Sequence, residues 1–248
     1  IEKNIDIIFK NTALVLSSFV AIILLGIVLV VFFQSFESFS RYGLKFLVTS
    51  EWNPVKDEYG AFTAIYGTLI TSFLSLLITI PLGVGTAIFI TEDFVPKVFR
   101  EIIGSFVELL AAIPSVVLGL WAIFVMEPFF RAFFVFLHNF FGWVPLFSTE
   151  PTGRNSLLAI LILVVMLLPI VTSIARDSLN QVPKKLRNAS YGIGASRWKT
   201  IFSVILPAAL SGIMAGVLLA LGRAMGETMA VTMIIGNSNA FSWSLLSP

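Results

Sequence analysis

The sequence predicts an all-α fold, a polytopic transmembrane helical bundle, and three observations carry the prediction. Of the 248 residues, 57% are hydrophobic and only 12% are charged, where a soluble domain carries roughly 25% charged residues. The mean hydropathy is +0.96. Uncharged runs cover residues 11–36, 59–91, 109–126, 155–175 and 200–222, each close to the ~20 residues that a helix needs to cross a bilayer.

The first run is predicted to be an anchor rather than a cleaved leader. It exceeds the 7–15 residues of a typical leader core, and no small-residue cleavage site follows it. Residue 1 is Ile, so the native N-terminus is expected upstream. Spans are expected at 12–34, 62–91, 102–126, 156–176 and 208–235, in one transmembrane domain over 1–248. The hydrophilic segments on the N-terminal side hold Lys3, Lys10, Lys97, Arg100, Lys184, Lys185, Arg187, Arg197 and Lys199. The opposite set holds Arg41, Lys45, Lys56, Arg131 and Arg154. That bias puts the N-terminus in the cytoplasm.

Pro81, Pro114 and Pro169 fall inside the expected spans, and Gly83 and Gly85 follow the first of them. Each is either a simple kink or a break flanking a transport path. The stretch FFRAFFVFLHNFFGWVPLF within 127–155 is broken by Gly142 and Pro145. It is expected to lie at the outer interface rather than to form a sixth span or an aromatic cage.

Several function classes drop out. The isoelectric point near 9.0 accompanies a net charge of only +2 with the basic residues in loops, so membrane topology explains it and nucleic acid is not a partner. There is no cysteine and only one histidine, His138 among phenylalanines, which leaves no Cys-based or His-based metal site and no hydrolase machinery. No G-x-x-x-x-G-K-[ST] phosphate loop occurs, so energy, if used, must come from a partner or an ion gradient.

The loop 177–207 reads DSLNQVPKKLRNASYGIGASRWKTIFSVILP. Pro183 can start a short helix, Gly192 and Gly194 can break it, and Ser196 can cap a second one. The result is a compact basic knob or, more plainly, a loop that only sets topology. Asn188-Ala189-Ser190, Gly194, Val204, Leu206 and Pro207 stand at the spacing of a loop that marks the membrane subunits of binding-protein-dependent ABC importers. The chain resembles that family, departing at Asn188, where Glu is usual, and conservatively at Ser190 and Val204. The resemblance implies that Asn188, Ala189, Ser190, Gly194, Ala195, Ser196 and Arg197 couple to an ATPase subunit.

The final span carries LGRAMGETMAV, residues 221–231. If its helix is continuous, Arg223 and Glu227 lie about 40° apart on one face, with Gly212, Gly216, Ala220 and Ala230. Met214, Leu218, Leu221 and Met225 form the opposite, bulky side. Small residues let another backbone approach, so the charged stripe is expected to face protein or a cavity near mid-membrane. A charge there costs about 2.5–3.5 kcal/mol on insertion scales, which argues for a task. A guanidinium suits oxyanions, and Glu227 would either hold Arg223 or accept a hydrogen bond from a protonated anion. Glu108 is expected to pair with a basic group across the bundle or to line an exit.

GRAMGETMAVTMIIGN (222–237), AAIPSVVLGLW (111–121) and AIYGTLITSFLSLLITIPLG (64–83) are similar to segments of the PstC-type permeases of bacterial phosphate importers. This resemblance implies a type I ABC importer (MetI-like) fold in a bacterial or archaeal inner membrane, with a sixth span beyond residue 248. It implies phosphate as cargo, with Arg223 and Glu227 on the substrate path and Thr68, Ser72 and Ser115 as candidate lining hydroxyls. The implied partners are a second, PstA-like permease, two ATPase subunits holding ATP and Mg, and a periplasmic or lipid-anchored phosphate-binding protein. The chain itself is expected to bind no cofactor. Two alternatives stay open at this point. One is the same class of importer moving molybdate or sulfate. The other is a solitary ion-coupled transporter with Glu227 as proton carrier.

Overall fold

The computed structural model describes residues 2–92, 94–151, 153–236 and 241–247. The chain divides into two compact units, Ile1–Thr63 and Ala64–Pro248. In the first, α1 (Glu2–Tyr42) is followed by one turn of helix, α2 (Lys45–Val48), and an antiparallel pair, β1 (Trp52–Asn53) and β2 (Glu58–Tyr59). Tyr59 packs edge-on against Trp52 and Tyr42, and Arg41 pairs with Asp57 at the turn. The apolar window of α1 is wholly unburied within the chain.

The second unit is built around α7 (Ser156–Gln181), with 61% of its apolar window buried, more than any other span. Asn155 accepts from Leu158 N to cap its start. The carbonyls of Leu245 and Ser247 take the amides of Leu157 and Ser156, satisfying donors that a helix N-terminus leaves open. α3 (Phe62–Thr91), α4 (Lys97–Ala112) and α10 (Leu206–Gly226) share its core through Leu76, Ala87, Val171, Ala175, Ile213 and Ala220 and, for α4, through Arg176, which crosses Gly104 to reach Glu108 at 3.6 Å. The predicted small stripe on α10 does pack. Gly212 and Gly216 lie under Ser178 and Ile174 so closely that a Cβ at either would collide, while Met214, Leu218 and Met225 are exposed.

Two expected spans are discontinuous. The third was predicted as one helix over 102–126. Instead α4 ends at Ala112, Ile113 turns extended with ψ 127°, and α5 (Ser115–Trp121) begins after Pro114. Proline displaces its predecessor from helical conformation, and here it also removes the amide that would have continued the ladder. Pro81 and Pro169, by contrast, remain inside helices. The helix then continues through a π-turn (Ala122–Met126) into α6 (Glu127–Phe141), so the aromatic run is the distal part of the same helix rather than a separate segment. His138 Nδ1 meets the Phe147 carbonyl at 2.9 Å.

The second correction concerns residues 208–235. α10 stops at Gly226, Glu227 is extended with ψ 103°, and α11 covers Met229–Ile235. The Glu227 carboxylate accepts from Ala230 N at 3.3 Å, capping the new helix. Its side chain therefore does not continue the α10 face that carries Arg223.

At one end of the bundle α8 (Lys184–Gly192) and α9 (Arg197–Thr200) form a knob. Pro183 precedes α8, Gly194 turns the chain with φ +81°, and the Ser196 hydroxyl caps Lys199 N. A π-turn at Ile201–Ile205 leads into α10.

Candidate functional site

Arg223 sits in the last turn of α10 and lines a cavity of about 110 Å³. Its neighbours there are Leu110, Ala111 and Ile113 at the α4 break, Leu118 of α5, and Met166, Pro169 and Ile170 of α7. Among the described residues Arg223 is the only charge in this lining. Among the described residues no ion pair or hydrogen bond engages its guanidinium, and none joins it to Glu227. Both breaks thus fall beside it. Ile113 is in the cavity wall, and α10 ends three residues beyond Arg223. Broken spans of this kind are where transporters place solute sites.

The level of the cavity follows from packing along α7. α4 meets α7 near Arg176, the cavity touches Met166 and Pro169, and Ile123 and Glu127 reach Arg154 and Leu158 at its opposite end. Residues 97–127 therefore run the length of α7, and Arg223 stands beside its middle. A guanidinium offers five donors in a planar fork that matches an oxyanion. Arg223 is itself exposed on this chain, so its guanidinium is open to a counter-charge arriving from outside the chain.

The predicted hydroxyls divide. Ser115 opens α5, directly after Pro114 and two residues from the cavity wall. The Thr68 hydroxyl is spent on the Ala64 carbonyl at 2.9 Å. Ser72 is buried with its hydroxyl unpartnered. Neither α3 residue lines the cavity. Thr172 of α7, not singled out from sequence, is also buried with its hydroxyl unpartnered. The polar spacing Thr172, Arg176, Asn180 at i, i+4 and i+8 is the signal that could have flagged it. A larger space of about 740 Å³ between α3 and α10 is lined by apolar side chains such as Val84, Phe89, Leu210 and Met214 and offers nothing to an anion.

On the knob, Asn188, Ala189, Gly194, Ser196 and Arg197 are exposed and Ala195 half-buried. Ser190 is buried, its hydroxyl 2.9 Å from that of Thr200, which joins α8 to α9. Ile193, 87% exposed, projects an apolar side chain from the tip.

Fold and site together define a polytopic α-helical permease, organised around a mid-span cationic cavity with a protruding knob. Within that class, the chain belongs to the family of binding-protein-dependent transport system inner membrane components, whose sequence profile matches residues 79–247. It is 43% identical to the phosphate transport system permease protein PstC of Mesorhizobium japonicum, over 98% of this chain and 76% of that one. The PstC of Pasteurella multocida is 41% identical over 98% of this chain and 78% of its own length. Among solved structures, an inward-facing MetNI methionine ABC transporter aligns with a TM-score of 0.49 at 23% identity, over 67% of this chain and 68% of that one.

Proposed function

We propose that this chain is a membrane-spanning permease subunit of an ATP-driven importer that carries inorganic phosphate into the cytoplasm. The observation that carries the proposal is Arg223, a guanidinium without a partner among the described residues, lining a cavity between two broken spans. Relatives named as phosphate transport permeases support phosphate over other oxyanions. Membership of a binding-protein-dependent family argues against a solitary ion-coupled transporter.

In this reading the N-terminus and the knob are cytoplasmic. A second, PstA-like permease completes the path, and two ATPase subunits grip the knobs with ATP and Mg. A phosphate-binding protein delivers the anion from outside. Arg223 contacts the anion in transit through paired N–H···O bonds, and Ser115 lies close enough in sequence to the cavity wall to add a hydroxyl. Glu227 acts on the site through the start of α11, which its carboxylate caps.

The test is Arg223→Ala in the full complex reconstituted in proteoliposomes. Uptake of radiolabelled phosphate should fall to background while all subunits still co-purify. Normal uptake by the variant removes Arg223 from the path.

A further inference from the structure

One guanidinium ties the knob to two elements of the bundle at once. Arg187, the residue before Asn188, donates through Nη1 to Glu92 Oε1 and through Nη2 to the Leu179 carbonyl at 3.0 Å. The two charged side chains are only 19% and 12% exposed. Leu179 lies in the last turn of α7, where its carbonyl takes the Val182 amide at 3.4 Å and has a second lone pair for the guanidinium. Glu92 immediately follows Thr91, the last residue of α3. Two residues on, Phe94 stacks on Trp198 of α9 with centroids 5.1 Å apart, and Trp198 stacks on Phe202. The segment after α3 therefore grips both helices of the knob, by charge on α8 and by an aromatic face on α9.

We propose that Arg187 is a positioning residue that makes the knob, α3 and α7 move as one body, so that displacement of the knob reaches the Arg223 cavity. This rests on the importer reading, in which the knob is where the ATPase pulls. The Phe94–Trp198 stack and the packing of Ile201 and Ile205 on Ala175 and Leu179 also fasten the knob, and Arg187 adds a polar link from α8 to α7 and to the end of α3. The Ser190–Thr200 bond is internal to it, and the neighbouring Lys97–Glu101 pair is surface-exposed and confined to α4. Pro169 and Ile170 of α7 are in the cavity wall, so a push at Leu179 travels along a single helix to the site. The planar fork of Arg can hold two acceptors at once, which a lysine ammonium on a flexible stem does not reproduce.

The experiment uses the complete transporter in proteoliposomes, with both permeases, the ATPase and the binding protein. It measures phosphate taken up per ATP hydrolysed. Glu92→Gln, which leaves the buried guanidinium without its counter-charge, and Arg187→Lys, which loses the fork, should lower that ratio, with subunit stoichiometry and ATP turnover retained. Glu101→Gln should leave the ratio at the wild-type value. A wild-type ratio in Glu92→Gln overturns the proposal. Should that variant not assemble, Glu92→Cys with Arg187→Cys decides, since the chain has no cysteine of its own. In a cysteine-free partner background, bridging the pair with a reversible bifunctional methanethiosulfonate should restore coupling, and reduction of the same sample should abolish it. Equal ratios in both states overturn the proposal. Wild-type vesicles that accumulate no phosphate defeat the importer reading instead, so the two failures are distinct.

Discussion

Gly119 of α5 crosses Ala230 of α11 beside the second break. A Cβ added at Gly119 would stand 3.1 Å from the Ala230 Cα and 3.3 Å from its Cβ, against the ~3.5–4.0 Å at which carbon pairs are best placed. The atoms met are backbone and a methyl, so no change of rotamer relieves the contact. The helices must part by about 0.5 Å, a gap that forfeits a quarter or more of the contact energy of neighbouring atoms. Overpacking of this sort costs about 1–3 kcal/mol. The same methyl at Gly67 in α3 meets nothing within 4 Å, and there alanine should gain about 0.5–1 kcal/mol by restricting the unfolded chain. One substitution type is thus expected to have opposite signs at two glycines. Unfolding in a detergent–dodecyl sulfate titration, followed by tryptophan fluorescence, measures both. Gly119→Ala should be less stable by about 1–3 kcal/mol and Gly67→Ala at least as stable as wild type. Equal stability of the two variants would refute the close crossing of α5 and α11.

Two further outcomes concern the knob. Gly194 has φ +81° with open space around it, so Gly194→Trp should strain the turn by about 1–2 kcal/mol and block docking; phosphate uptake should stop while ATP is no longer used productively, and unaltered ATP-driven uptake would count against the docking face. Ser190→Ala leaves the buried Thr200 hydroxyl without its partner at 2.9 Å, a loss of about 1–3 kcal/mol. Amide exchange over 184–200 should rise, and unchanged protection would show that α8 and α9 are held by other means.

The limits of α3 at 62–91 were legible because an uncharged run between Glu58 and Glu92 leaves a helix no other place to end. Pro114 was legible as punctuation but not as a stop, since Pro81 and Pro169 look alike in sequence and remain helical. Burial at the centre of the bundle sets Pro169 apart, whereas Pro81 and Pro114 are both exposed and nothing in the structure explains why only the second breaks its helix. The end of α10 was hidden for a different reason. Helical periodicity runs through Gly226 and Glu227 without interruption, and only the bond from Ala230 N to the Glu227 carboxylate reveals a second start. Arg223 was found because a lone charge in an apolar run is conspicuous. Its cavity neighbours Met166 and Ile170 were not, because apolar residues in an apolar helix carry no mark. The Arg187–Glu92 pair spans 95 residues, a separation that no local pattern encodes.

The length of α1 has a consequence of its own. Its 41 residues rise to about 60 Å at 1.5 Å each, about twice the ~30 Å of a hydrocarbon core. Most of the length is the apolar run 11–36 itself, which tilt can accommodate, and Glu37–Tyr42 add only about 9 Å beyond it. The strand pair at 52–59 is fastened to that end through Arg41 and Tyr42, so any change in the tilt of α1 carries the pair with it.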